Sequence, residues 1–263
     1  MLLTIDIGNT NITLGAFNGD KLHATWRMAT DPRKMPDEYG AIMHSLLTLK
    51  QVSPTQINEI AMCSVVPPLT SVLERACLEY FQTKPLVIGP GVKTGIRVHY
   101  DNPRDVGSDR IADAVAGYRL YGGPLIIVDF GTATTFNAVS REGDYLGGAI
   151  APGLRLAAES LFTNTSQLRR VDLVAPKSAI GRSTIASMQS GLVLGHVAMV
   201  EGMVVRIKEE VGQDAKVVAT GGLARLIAEQ TKVFDTVNPD LTLIGLKMVY
   251  ELNREVPPRG TSD

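Results

Sequence analysis

The sequence predicts an α/β protein built from two related halves, and three observations carry that prediction. Two short segments, Asp6-Ile7-Gly8-Asn9-Thr10-Asn11 and Asp129-Phe130-Gly131-Thr132-Ala133-Thr134, each place an Asp, a Gly and Thr hydroxyls between two apolar runs. Each segment opens the same succession, three strand-like runs followed by a helix-like stretch. The chain has 263 residues, more than one domain usually takes, so two domains of about 100–150 residues are expected.

Residues 2–7 have the β-branched and aliphatic content of a buried strand, 12–17 read as its return strand, and 22–28 as a third. A helix-like stretch follows from 35 to about 49, with Ile42, Leu46 and Leu49 spaced along it. Residues 60–66 read as a strand, 68–81 as a helix with proline near its first turn, and 86–88 as a short strand. From 103 to 121 the spacing of Ile111, Val115 and Tyr118 predicts a helix led by a polar stretch. The second half restarts with strands at 125–129, 134–140 and 145–150. A helix follows from Pro152-Gly153 to about 162, then a polar loop region to 182, a long helix from Ser183 to about 211, a strand at 217–219 and a closing helix at 241–252. The expected division is therefore 1–121 and 122–254, with 255–263 as a mobile tail rich in Pro, Gly and Ser.

Lys and Arg total 26 against 27 for Asp and Glu, a formal charge of −1 without any block of like charge. Nucleic acid and anionic membrane are poor partners for such a surface. The two cysteines, Cys63 and Cys77, have no histidine at ligand spacing, which speaks against a zinc site or a disulfide framework. The chain enters a strand at once without the pattern of a signal peptide, and no apolar run approaches the about 18 residues of a membrane span. A soluble, cytoplasmic protein is expected.

Each hairpin tip brings chemistry suited to phosphate. Gly lets the backbone approach a ligand, while hydroxyls and N–H groups suit phosphate oxygens. A carboxylate belongs there only with a cation or a polarised water between it and the phosphate. One such tip is ordinary turn chemistry. Two copies, each with a carboxylate ending an apolar strand where it is costly without a partner, read as two sides of a grip on a nucleoside triphosphate. Other routes to a nucleotide are closed or weak: no Gly-Lys dipeptide occurs, which excludes a P-loop. Gly89-Pro90-Gly91 lacks the third glycine and the helix of a dinucleotide fingerprint. Val217-Val218-Ala219-Thr220-Gly221-Gly222 is a strand running into a glycine pair, which admits a ring or ribose against the backbone or is a plain strand-to-helix turn.

These pieces, together with Gly107-Ser108-Asp109-Arg110 and Gly147-Gly148-Ala149-Ile150-Ala151-Pro152-Gly153, occur in an order that resembles the type III pantothenate kinases over nearly the whole chain. The resemblance implies an actin-like ATPase (ribonuclease H-like) fold of two duplicated β-β-β-α-β-α domains with a nucleotide cleft between them. It implies phosphorylation of pantothenate by ATP as the first step of coenzyme A biosynthesis, a homodimer, and a monovalent cation, K⁺ or NH₄⁺, beside a divalent one, Mg²⁺. Carried onto this sequence, the phosphate loop is Asp6, Ile7, Gly8, Asn9, Thr10, Asn11, Ile12 and Thr13, with Thr132 as a second ATP contact. Pantothenate would meet Tyr100, Gly107, Ser108, Asp109, Arg110 and, across the dimer, Thr184. Asp109 falls on the general base and Asp129 on the monovalent-cation ligand. Asp101, Asp105 and Asp113 read as surface or capping carboxylates.

The residues agree with those roles. Phosphoryl transfer needs a hydroxyl aligned with the γ-phosphate, late acceptance of its proton, and neutralised phosphate charge. An aligned Asp orients a hydroxyl without deprotonating it in advance, and an Arg pairs with a carboxylate as a bidentate fork. The plain alternative for Asp109-Arg110 is a helix N-terminal Asp beside a solvated Arg. His99 and His196 have no metal partners at usable spacing, and His196 lies in an apolar helical stretch that favours a core or interface place. Met188, Met199 and Met203 follow a helical face with Leu192 and Val200, which favours packing or a dimer interface. Two alternatives stay open: another actin-fold kinase for a sugar or carboxylate, and a nucleotide-binding regulatory protein without turnover, which would have no use for Asp109.

Overall fold

The structure, a computed structural model, describes residues 1–254; the tail expected at 255–263 lies outside the described residues. The chain divides into two compact units, one of residues 1–95, 104–115 and the segment beginning at Thr242, the other of residues 96–103 and 116–241.

The first unit contains β1 (Leu2–Ile7), β2 (Asn11–Asn18), β3 (Lys21–Ala29), α1 (Pro36–Leu49), β4 (Glu59–Ser64), α2 (Pro67–Phe81) and β5 (Leu86–Val87). The division between units falls within α3 (Ser108–Tyr121). The second unit continues with β6 (Leu125–Phe130), β7 (Ala133–Val139), β8 (Tyr145–Pro152), α4 (Leu154–Thr163), α5 (Thr184–Val211), β9 (Lys216–Thr220), α6 (Ala224–Ala228) and β10 (Thr236–Val237). Helix α7 (Leu241–Asn253) ends the described chain.

The duplication read from the motifs extends to topology and register. The first sheet has the order β3-β2-β1-β4-β5 and the second, read from the same side, β8-β7-β6-β9-β10. In each, the opening strand pairs antiparallel with the next and parallel with the fourth. Asp6 lies opposite Thr13 and Cys63, and Asp129 opposite Thr135 and Thr220. Even the irregularities correspond, one between Ala16 and Phe17 and one between Ala138 and Val139. Parallel central strands covered on both sides are apolar throughout, which is why 2–5 and 125–128 contain no charged residue.

In the first unit, Tyr39, Met43 and Leu47 of α1 and Leu69, Leu73 and Ala76 of α2 join Leu3, Ile5, Ile12 and Leu14 in one core. In the second, Val193, Val197, Val200 and Val204 of α5 join Ile126, Val128, Phe130 and Phe136. Among the described residues α5, with 28 residues, is long and apolar enough to cross a membrane by length and composition, and 44% of its most apolar stretch is buried. Its packing on the second sheet accounts for that apolar face as the face of a core helix.

Two element expectations change. The strand expected at 60–66 stops at Ser64 because Pro67 and Pro68 start α2, leaving Val66 as its N-cap. The helix expected from 103 begins at Ser108, after a 3-10 turn at Pro103–Asp105. The compact units place 96–103 and 116–121 with the second half and the segment from Thr242 with the first. The Thr242 hydroxyl donates to Asp113 Oδ1 at 2.7 Å and Lys247 Nζ to Asp20 Oδ1 at 2.8 Å, so α7 is tied to the first unit.

Candidate active site

At the first tip, Ile7 pairs with Ile12, so Gly8, Asn9, Thr10 and Asn11 make the turn. The Gly8 N–H donates to the Asn11 carbonyl at 3.1 Å. Thr30, just beyond β3, closes the turn from outside: its hydroxyl donates to the Gly8 carbonyl at 2.6 Å and its N–H to the Thr10 carbonyl at 3.1 Å. Asn9, Thr10 and Asn11 are exposed and Thr13 half-buried. Ile7 and Ile12 are fully buried core residues, so a ligand at this tip meets only their main chain.

Asp6 stands one residue before the turn, half-buried. The Cys63 thiol on the neighbouring strand donates to its Oδ1 at 3.3 Å. Burial first, and then the charge of Asp109, push the Asp6 carboxyl up from 3.8 to about 7, against the pull of Cys63. A raised carboxyl favours the protonated fold. Its contribution to stability is complete below the unfolded value and is lost as pH rises towards 7. Asp6→Asn is therefore expected to stabilise the nucleotide-free protein at pH 8 by roughly 1–2 kcal/mol, a few °C in Tm, after discounting for partial exposure. At pH 5 the gain should shrink. Thermal unfolding at the two pH values checks this, and an equal gain at both would refute the shift.

Asp109 lies in the first turn of α3, which is anchored by Ser108: the Ser108 hydroxyl donates to the Ser64 carbonyl and accepts the Ser64 N–H, each at 3.2 Å. The Arg110 N–H donates to Asp109 Oδ1 at 2.7 Å. Burial raises the Asp109 carboxyl above its ordinary value, while that hydrogen bond and the Arg110 charge oppose the rise. A carboxyl raised in this way is a stronger base than a solvated one. Arg110 is buried, 7% exposed, which removes the solvated-Arg alternative. Gly107 is half-buried just before the helix. In the first unit the fold thus brings Asp6, Cys63 and Asp109 together.

The second tip is one residue shorter. Phe130 pairs with Thr134, so Gly131, Thr132 and Ala133 make the turn, and the Gly131 N–H donates to the Ala133 carbonyl at 3.1 Å. Two glycines press against it. A Cβ on Gly153, which caps α4, would collide with the Thr132 carbonyl, and one on Gly221, at φ +92°, with Asp129 Oδ1. Thr132 is exposed and Asp129 half-buried. The Gly131 carbonyl oxygen also lies 2.9 Å from the Gly153 Cβ position, so main-chain oxygens line the Gly153 side of the tip and the Asp129 carboxylate its Gly221 side. An all-oxygen set fits a hard cation. Among the described residues no three His, Cys, Asp or Glu side chains gather as a metal-binding group, so a cation here would take main-chain and substrate oxygens.

Tyr100 is 38% exposed and its ring passes 3.4 Å from the Gly147 Cβ position. Together with His99, Asp101, Leu146, Gly147 and Gly148 it lines an open hollow of ≈ 650 Å³. Thr184 is exposed in the first turn of α5, whose cap is Ser183 Oγ accepting the Ala186 N–H at 3.2 Å. Asp101 and Asp105 are exposed. Asp113, expected at the surface, is 2% exposed and holds Thr242.

The places of Thr30, Ser64 and Cys63 beside the first tip and α3 have no signal in the sequence. Their contacts depend on which strand lies beside β1 and where β3 ends, and no short-range pattern carries that information.

A sequence profile of the type III pantothenate kinase family matches residues 2–206. The match includes both tips, Asp109 and Thr184, and leaves out Gly221 and Gly222. Among solved structures, a Campylobacter jejuni protein described as a candidate Baf family transcriptional activator has TM-score 0.61 at 19% identity, over 95% of this chain and 98% of that one. An inorganic polyphosphate/ATP-glucomannokinase from Arthrobacter has TM-score 0.51 at 12% identity, over 96% and 99%. A ROK hexokinase from Thermus thermophilus has TM-score 0.52 at 13% identity, over 96% and 99%. At such identities the likeness shows the fold alone, the actin-like fold that the resemblance implied. The family match reaches further, and this chain belongs to the type III pantothenate kinases, which transfer phosphate to an alcohol acceptor.

Proposed function

We propose that the protein phosphorylates the primary hydroxyl of pantothenate with ATP, giving 4′-phosphopantothenate, the first step of coenzyme A biosynthesis. The observation that carries this reading is Asp109, a carboxyl raised by burial and close enough to the Asp6 tip to raise Asp6 as well. A base beside a phosphate-holding turn is what transfer to a hydroxyl requires and what a nucleotide sensor does not.

Asp109 would align the hydroxyl and take its proton late. Arg110, held out of solvent, would fork onto the substrate carboxylate, with Tyr100, Gly107 and Ser108 around the remainder. Asp6 to Thr13 would cradle the ATP phosphates, with side chains from Asn9, Thr10 and Asn11 and main chain from Ile7 and Ile12, and Thr132 would add its hydroxyl. Asp129 would hold K⁺ or NH₄⁺, while Mg²⁺ accompanies ATP. A cytoplasmic homodimer in which Thr184 reaches the partner's substrate completes the reading.

The test is ADP release by purified protein with ATP, Mg²⁺ and K⁺ over a panel of pantothenate, hexoses and acetate. Turnover with pantothenate alone is expected. Preference for a sugar or for acetate would assign the site to another acceptor.

A further inference from the structure

His196 is buried in α5 at 7% exposure, between the core residues Val193, Val197 and Val200. Its Nε2 lies 2.9 Å from the Thr134 hydroxyl, itself 1% exposed. Its ring packs at a 53° tilt on Phe130, centroids 6.0 Å apart. Thr134 and Phe130 are the strand pair that closes the second tip. The imidazole therefore holds one closing residue by a hydrogen bond and leans on the other.

The internal duplication shows what simple packing needs at this place. In the first tip the closing pair is Ile7 with Ile12, both fully buried and apolar. Two hydrocarbons suffice there. A buried hydroxyl paired with an imidazole brings desolvation that an apolar pair avoids, and its net contribution to stability is small. What the polar pair adds is direction, since a hydrogen bond fixes a rotamer and a strand position where aliphatic contact leaves latitude. Burial lowers the His196 pKa, so the ring stays neutral and keeps both a donor and an acceptor for the contact.

We propose that His196 is a positioning residue for the second tip: through Thr134 it sets the turn Gly131-Thr132-Ala133, and so the ATP contact at Thr132. The inference rests on the reading that Thr132 meets ATP. It also gives α5 a second task, because the helix that presents Thr184 at its start fixes this tip twelve residues later, about 18 Å along its axis.

Calorimetric ATP binding and steady-state kinetics on the whole protein test it. His196→Leu is expected to weaken ATP binding and raise KM for ATP about tenfold while KM for pantothenate stays within about twofold. His196→Gln, which restores an amide within reach of Thr134, should recover ATP affinity to within about threefold of wild type. Thr134→Val should reproduce the His196→Leu effect, and the double variant should be no worse than either single one, as expected of two residues acting through one contact. Folding of each variant is followed by thermal unfolding.

Unchanged ATP affinity in both His196→Leu and Thr134→Val, equal losses in His196→Leu and His196→Gln, or additive losses in the double variant would overturn the inference. Wild-type protein that binds ATP but does not phosphorylate pantothenate would sink the pantothenate reading and leave the His196 result standing on the binding data. Absence of ATP binding by the wild type would overturn both.

Discussion

Replacing Asp109 by Asn is expected to lower turnover by about 10²–10⁴-fold, the usual contribution of a positioned acid or base, while pantothenate binding stays within about tenfold. The substitution is nearly isosteric, and the anchor of α3 does not depend on it, since Ser108 and Ser64 exchange two hydrogen bonds independently of the carboxylate. The Arg110 N–H retains an oxygen acceptor, the Asn carbonyl. What disappears is a negative oxygen that can take the proton. Calorimetry and a kinase assay on one preparation decide it, and more than about a tenth of wild-type turnover would remove Asp109 from the general-base role. The same inactive chain tests the composite site: mixed with an inactive Thr184→Arg chain, it should regain activity through heterodimers with one undamaged site. Failure despite verified subunit exchange would take Thr184 out of the partner's site.

Asp129→Ala is expected to abolish the response to monovalent cations together with most of the activity. Asp129 stands one residue before the end of the otherwise apolar β6, its Oδ1 against Gly221 and Oδ2 3.3 Å from the Gly131 Cβ position. A carboxylate so placed repels phosphate unless a cation intervenes. Mg²⁺ demands near-octahedral, water-rich coordination, whereas a site of one carboxylate and main-chain oxygens suits a larger ion. At constant ionic strength and saturating Mg²⁺, wild-type activity should rise with K⁺ or NH₄⁺ and stay low with Na⁺ alone. Equal rates in K⁺ and Na⁺ would leave Asp129 serving the divalent ion.

Much of this could be read from the sequence because it is local. An apolar run ending in Asp-x-Gly announces a strand and its turn within one segment, and the second copy turned a common hairpin signature into a fold. The return strands, the prolines that begin α2 and the serine that caps α5 were legible for the same reason. The remainder depends on pairings between distant segments. Cys63 reaches Asp6 only because β4 lies parallel to β1 in one register. Asp113 reads as a surface carboxylate until α7 supplies Thr242, 129 residues further on. An amphipathic helix does not announce which sheet it will cover, so the placement of α7 was invisible too. His196 reads as a core or interface residue and is buried; its partner Thr134 belongs to a strand 62 residues earlier.

The most direct test of the central claim is the identity of the product. Wild-type protein incubated with ATP, Mg²⁺, K⁺ and pantothenate should convert ATP to ADP and yield one new phosphate monoester, with phosphorus-31 NMR and mass spectrometry placing a single phosphate on the primary hydroxyl of pantothenate. ATP hydrolysis without a phosphorylated pantothenate, or, with glucose and acetate added to the mixture, unreacted pantothenate beside a phosphorylated sugar or acetate, would contradict it.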